Sequence, residues 1–331
     1  MLDYAALDAL AAVVREGSGR DVVWLAMGKD AKGPLFTKAA VVRGKTADGW
    51  VQIQEGVKSD QLIARKNAAV AAGVGVDHPG RPRPPVVANV SSVAYDSAGR
   101  LYIADTSLNR IVRQSTTGEL EVFAGAGVGY AGDGGLAVDA LISVPKGLSI
   151  DDAGRVYFVA FATTSTVVRR INTDGTIETV VGGGAQPPVE SGFASLTDFQ
   201  GLVDTAIDTT GHLVVSDIAL GQVWKIDDDG FLHLLAGNGT SGSSGDDGPA
   251  IAAQLARPDS IAFDSNGDLY IGDGGNYAIR RVNSIGTIQT VAGILGVQGS
   301  AATDGVATEV KLSGQLPGLV SDGHGGLYFS D

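Results

Sequence analysis

The chain has 331 residues, 48 of them glycine, 11 proline and none cysteine, with 24 basic and 37 acidic residues for a net charge of −13. The absence of cysteine excludes a disulfide framework, a thiolate zinc site, an iron–sulfur cluster and a cysteine nucleophile. A hydrophobic fraction of 44% is enough for a core, which excludes a disordered chain, and the glycines follow no G-X-Y period, which excludes a collagen.

In chain order, residues 2–16 place Leu2, Ala6, Leu10 and Val13 or Val14 on one face at helical spacing, which predicts a short amphipathic helix. The N-terminus carries acidic residues and no basic start before an apolar block, so it does not read as a secretory signal. The longest uncharged small or apolar run, 68–76, is far short of the roughly 18 residues of a bilayer span. Residues 37–54 read as a β-hairpin, an apolar strand ending at Arg43, a turn with Gly49, then Trp50, Val51 and Ile53 in alternation. Residues 77–89 are proline-rich and predict an extended connector. Residues 1–85 hold 12 basic and 9 acidic residues, net +3, whereas 86–331 hold 12 and 28, net −16. This divides the chain into an N-terminal segment, 1–85, and a larger acidic domain, 86–331, which would repel a nucleic acid.

The larger part repeats itself. The segments VAYDSAGRLYIAD (93–105), LSIDDAGRVYFVA (148–160), TAIDTTGHLVVSD (205–217), IAFDSNGDLYIGD (261–273) and LVSDGHGGLYFSD (319–331) align on Gly99, Gly154, Gly211, Gly267 and Gly325. The spacings are 55, 57, 56 and 58 residues. Each segment is two short strands around a D-x-x-G turn. The first four are followed by two more strands around Gly118, Gly175, Gly230 and Gly286. Four antiparallel strands per unit predict an all-β fold, a β-propeller of four complete blades and a half blade ending at Asp331. Two strands are missing from that half blade, and the hairpin 37–54 is expected to supply them and close the ring at five.

The pattern D-x-x-G-x-L-Y-I-A-D, the following N-R-I-x-R, the T-V-A-G strand and the linkers GYAGDGGLAVDALISVPKG and SSGDDGPAIAAQLARPDS resemble those of bacterial NHL-repeat propellers over residues 90–331. That resemblance implies the propeller fold but no single function: similar propellers serve as ligand- and protein-binding platforms, as sensor domains and, in a few relatives, as lyases or lactonases. It also leans toward an extracytoplasmic or cell-surface location. Residues 21–63 are in addition similar to the membrane-proximal β-domain of periplasmic efflux adaptor proteins, through D-G-x-V-x-I-x-x-G-V-K-x-D-x-L-I.

Two sets of acids are candidate site residues. Asp105, Asp217 and Asp273 stand eight residues before Arg113, Lys225 and Arg281, and are expected to pair with them as a repeated structural ion pair. With the ring closed, Asp331 would meet Arg43 in the same way. The linker acids Asp133, Asp246, Asp247 and Asp304 occupy equivalent loops on one rim and are the candidate binding residues. No cofactor is expected, and calcium is the one cation such loops would suit. The histidines 78, 212, 233 and 324 lack metal-site spacing. The expected function is a non-enzymatic propeller whose acidic, loop-rich face binds a protein, peptide or glycan, alone or as an oligomer. The alternatives are a metal-dependent lyase or lactonase with its site in the central channel, and a structural subunit of a larger assembly.

Overall fold

The architecture comes from a computed structural model, which describes residues 87–115, 118–299, 305–322 and 326–331 in full and residues 14–15, 21–30, 33–47 and 50–55 as backbone strands. The chain divides into two compact units, 1–89 and 90–331. The first holds one antiparallel sheet in the order β1 (Val14–Arg15), β2 (Asp21–Asp30), β3 (Gly33–Ala47) and β4 (Trp50–Glu55). Val14 and Arg15 pair with Val22 and Asp21, so this part of the predicted helix is strand, as its β-branched valines favour. The rest of 2–16 lies outside the described residues. Residues 33–41 of β3 pair with β2 and residues 42–47 with β4, so the hairpin predicted over 37–54 is present. Closure of the ring by that hairpin rests on the sequence argument alone.

The second unit is a series of small antiparallel sheets. Blade 1 is β5–β8 (Val90–Tyr95, Leu101–Asp105, Arg110–Gln114, Leu120–Ala124) and blade 2 is β9–β12 (Lys146–Ile150, Val156–Phe161, Thr166–Ile171, Ile177–Val181). Blade 3 is β13–β16 (Leu202–Ile207, Leu213–Asp217, Gln222–Ile226, Leu232–Ala236) and blade 4 is β17–β20 (Pro258–Phe263, Leu269–Asp273, Ala278–Val282, Ile288–Ala292). A two-stranded sheet, β21 (Leu319–Ser321) and β22 (Leu327–Phe329), follows as the half blade. Within each blade the strands run in sequence order, and the first strands of successive blades adjoin one another.

The period of two along each second strand is what joins the blades. Phe158 and Ala160 of β10 pack toward blade 1 with Tyr102 and Ala104, while Tyr157 and Val159 pack toward blade 3 with Leu213 and Val215. A strand buried on both faces reads as a nearly continuous apolar run, and that is the V-Y-F-V-A of this segment. The same alternation builds a third core between blades 3 and 4 and a smaller one against the half blade.

The repeated turn has a definite chemistry. Asp96 Oδ1 accepts the Ala98 and Arg100 amides at 3.0 and 2.9 Å, Asp208 accepts those of Thr210 and His212, and Asp264 those of Asn266 and Asp268. The other carboxylate oxygen accepts a hydroxyl from the tyrosine six residues on: Tyr102 to Asp96 at 3.2 Å, Tyr157 to Asp151 at 3.1 Å and Tyr270 to Asp264 at 3.4 Å. The aligned tyrosines thus tie the turns of blades 1, 2 and 4 to their second strands, beyond the packing of their rings.

Candidate functional site

Antiparallel pairing decides which of the aligned charges meet. Across the second and third strands of blade 1, Asp105 opposes Arg110, and it is Tyr102 that opposes Arg113. The eight-residue pairing expected for Asp105 with Arg113, Asp217 with Lys225 and Asp273 with Arg281 is therefore not made. Partners in a hairpin share a constant sum of positions, so an acid at the near end of the turn cannot reach a base at its far end. Asp105 lies 3.7 Å from Arg110, and Asp273 lies 3.3 Å from the fully buried Arg280. Asp217 accepts the Ala219 and Leu220 amides at 2.8 and 2.9 Å and that of Gly201 at 3.3 Å. Burial pushes the Asp217 carboxyl up, and pushes that of Asp273 up to about 6. Two of the expected bases pair outward instead, Arg113 with Glu121 at 2.5 Å and Arg281 with Asp268 at 3.7 Å, and Arg170, the aligned base of blade 2, pairs with Glu178 at 2.7 Å. Asp331 accepts the Ser313 amide, and the Arg43 side chain lies outside the described residues.

The linker acids fasten each linker to the next blade. Asp133 takes two bonds from Arg169 of β11, at 2.5 and 3.1 Å, and its second oxygen accepts the Thr179 amide at 3.0 Å. Arg169 is fully buried and also donates to the carbonyls of Leu141 and Ala131. Asp246 repeats the arrangement with buried Arg280, at 2.7 Å. In the linker between them Glu190 binds His233 at 2.9 Å and accepts the Leu234 amide, and Asp227 holds the other ring nitrogen of His233 at 2.8 Å. Asp247 receives Gln289 Nε2 at 2.7 Å, and Asp304 lies outside the described residues. Asp133 is thus engaged with blade 2, and Asp246 and Asp247 with blade 4. Among the described residues no three acidic or imidazole side chains converge as a metal site would require.

A group that the sequence reading did not single out lies on the inner strands. Ser92, Gly147, Asp204, Ser260 and Gly318 hold equivalent positions in the five repeats, and Asp204 is the acid in a column of small residues. Successive inner strands are stitched there: Ser92 Oγ accepts the Leu148 amide at 2.9 Å, Thr205 Oγ1 donates to the Gly147 carbonyl at 2.7 Å, and Asp204 Oδ2 accepts the Ile261 amide at 2.9 Å. Lys146 and Asp259 are the charges near it. Burial pushes the Asp204 carboxyl up to about 7, raises Asp259 and lowers the Lys146 ammonium, which sits 5.4 Å from the Phe161 ring centre. Perturbed charges gathered at one end of the inner strands form a polar mouth.

These shifts have a sign in stability. Asp204, Asp217, Asp259 and Asp273 hold protons more tightly folded than unfolded, and so does His233, raised by its bonds to Asp227 and Glu190. The contribution of His233 is fully present below its unfolded value and is lost as pH rises through its folded one. The raised aspartates likewise cost stability as they ionise in place between their unfolded value near 4 and their folded ones. The melting temperature is therefore expected to fall by about 2–6 °C from pH 5 to pH 8. Asp204→Asn should flatten that slope, which a melt series in matched salt would check.

The strand alternation puts the first and third turns of every blade at one end. That end carries Glu119, Asp152, Asp174, Asp228 and Asp229, all exposed. The nine arginines in residues 87–331 do not balance them, because each is already within salt-bridge distance of an acid of the fold.

Blades of this strand order and repeat length define a β-propeller of four-stranded blades over residues 90–331. Residues 128–192 match the family model of the teneurin NHL domain. Teneurin-m of Drosophila melanogaster is 27% identical over 228 residues, covering 60% of this chain and 8% of that protein. Teneurin-3 of Mus musculus is 27% identical over 275 residues, covering 70% of this chain and 10% of that protein. The chain thus spans a tenth or less of the length of these relatives. Among solved structures, a structural genomics protein of unknown function from Bacteroides thetaiotaomicron is 16% identical with a TM-score of 0.48, over 98% of this chain and 96% of that one. Virginiamycin B lyase from Staphylococcus aureus is 14% identical with a TM-score of 0.43, over 72% of this chain and 61% of that one. The likeness of residues 21–63 to efflux adaptors gains no support from these similarities.

Proposed function

We propose that residues 90–331 are a non-enzymatic binding propeller whose turn face recognises a basic protein or peptide segment. One observation carries this reading: the arginines of the domain are consumed in internal ion pairs, while Glu119, Asp152, Asp174 and Asp229 stand exposed with no basic neighbour in ion-pair distance among the described residues. An acidic surface of this kind draws a basic partner by long-range attraction and disfavours an acidic one. The linker acids act one step back, holding the loops between blades so that the face is rigid. Selection from a random displayed peptide library against the full chain tests the reading. Enrichment of lysine- and arginine-rich peptides is the expected result, and enrichment of neutral or acidic ones would overturn it.

A further inference from the structure

The seams between blades are closed in different ways. In the first three linkers the residue before the short 3-10 turn bridges to the outer turn of the next blade: Leu136 to Thr176, Phe193 to Phe231 and Pro249 to Thr287. Between blades 2 and 3 the rings of Phe193 and Phe231 pack with centres 4.4 Å apart and fill the seam. Between blades 3 and 4 the same two positions are Pro249 and Thr287, neither of which brings an aromatic ring. A groove of 450 Å³ remains there, lined by Leu234, Ile251, Phe263, Leu269 and Val282, with Ile285 at 85% exposure on its lip. Its size is within the range of small-molecule sites.

The groove also contains a cation with no acid of its own. On the third strand, Arg113 and Arg170 pair across to Glu121 and Glu178 on the fourth. In blade 3 the equivalent pair is Lys225 and His233, and His233 is itself held by Asp227 and Glu190. Lys225, which lines the groove, makes no ion pair among the described residues. Asp208 lines it too, but its carboxylate already accepts the Thr210 hydroxyl and the amides of Thr210 and His212, with the His212 ring 3.5 Å away.

We propose that this groove binds a small molecule with an apolar body and a single carboxylate, the carboxylate at Lys225 and the body along Phe263, Leu269 and Ile285. A neutral apolar ligand would leave the ammonium unpaired, and a cationic one would be repelled by it, so the charge complement selects the anion. The groove opens among the turns of blades 3 and 4, at the same end as the acidic face, but the proposal rests on Lys225 and does not depend on the reading given to that face.

Calorimetric titration of the full chain with 4-phenylbutyrate and with its neutral counterpart 4-phenylbutan-1-ol tests the proposal. The carboxylate is expected to bind at one site, with Lys225→Gln weakening it about tenfold while changing the alcohol less than about twofold. Ile285→Ser should weaken both, and Lys311→Gln, a lysine of the last linker, neither. Ile285→Ser changes an exposed side chain and Lys225→Gln a half-buried one, and an unchanged melt confirms that each variant folds. Failure of the wild type to bind the carboxylate, or equal binding by Lys225→Gln, would overturn the proposal.

Discussion

Arg169→Ala is expected to destabilise the propeller by about 3–5 kcal/mol, the range for removing one partner of a buried, hydrogen-bonded charge pair. Arg169 is fully buried and serves three acceptors, Asp133, Leu141 and Ala131, which belong to the linker running from blade 1 to blade 2. Its loss strands two carbonyls and a carboxylate at once. Asp133→Asn should cost less, because the amide oxygen still accepts from the guanidinium and Asp133 is partly exposed to water. Chemical denaturation of the two variants measures the difference. Equal small losses, below about 1 kcal/mol in both, would show that the linker is not fastened by this pair.

Gly237→Ala should cost about 2–4 kcal/mol, from a backbone conformation that L residues avoid together with a steric overlap. Gly237 ends the fourth strand of blade 3 at φ +89°, and a Cβ there would stand 2.0 Å from the Gly221 carbonyl oxygen, inside any contact that real atoms make. The glycines at the same place in the other blades, Gly125, Gly182 and Gly293, share the positive φ and face Asn109, Thr166 and Tyr277 carbonyls. Gly211→Ala, at φ +90° but with open space around its Cβ position, isolates the conformational part of the cost. A thermal melt in which Gly237→Ala lost no more than Gly211→Ala would contradict the role of the close approach.

Much of the architecture is legible in the sequence because a repeat reports itself. Five aligned D-x-x-G turns about 56 residues apart give the number of units, and the alternation of apolar residues within V-Y-F-V-A gives strands buried on both faces. What the sequence hides is pairing. Asp105 and Arg113 lie eight positions apart in an aligned pattern, yet the register opposes Asp105 to Arg110, and only the length of the intervening turn decides it. The linker acids escape for another reason. Asp133 is 36 residues from Arg169 and Asp246 is 34 from Arg280, each in the following blade, so the bond crosses a boundary that alignment within one repeat does not see. Comparing the linker acids with the third-strand arginines of the next unit would have found both. Asp204 was visible as the acid in a column of serine and glycine, but its burial and its bond to Ile261 come only from the curvature that brings inner strands together. Lys225 was legible as an aligned base. That it makes no ion pair among the described residues follows from His233 standing where Glu121 and Glu178 stand in the first two blades.

The account separates acids that hold the propeller together from acids that face outward, and assigns binding to the second group. Its most direct measurement is the association rate of the full chain with a lysine- and arginine-rich peptide and with its glutamate-substituted counterpart, at low and at physiological salt. The comparison chain carries Asp152→Asn, Asp174→Asn and Asp229→Asn, substitutions at exposed acids outside every ion pair described above. The account predicts fast, salt-sensitive association with the basic peptide alone, slowed about tenfold by the three substitutions with no change in melting temperature. Association that ignores salt, peptide charge and the three substitutions would contradict it.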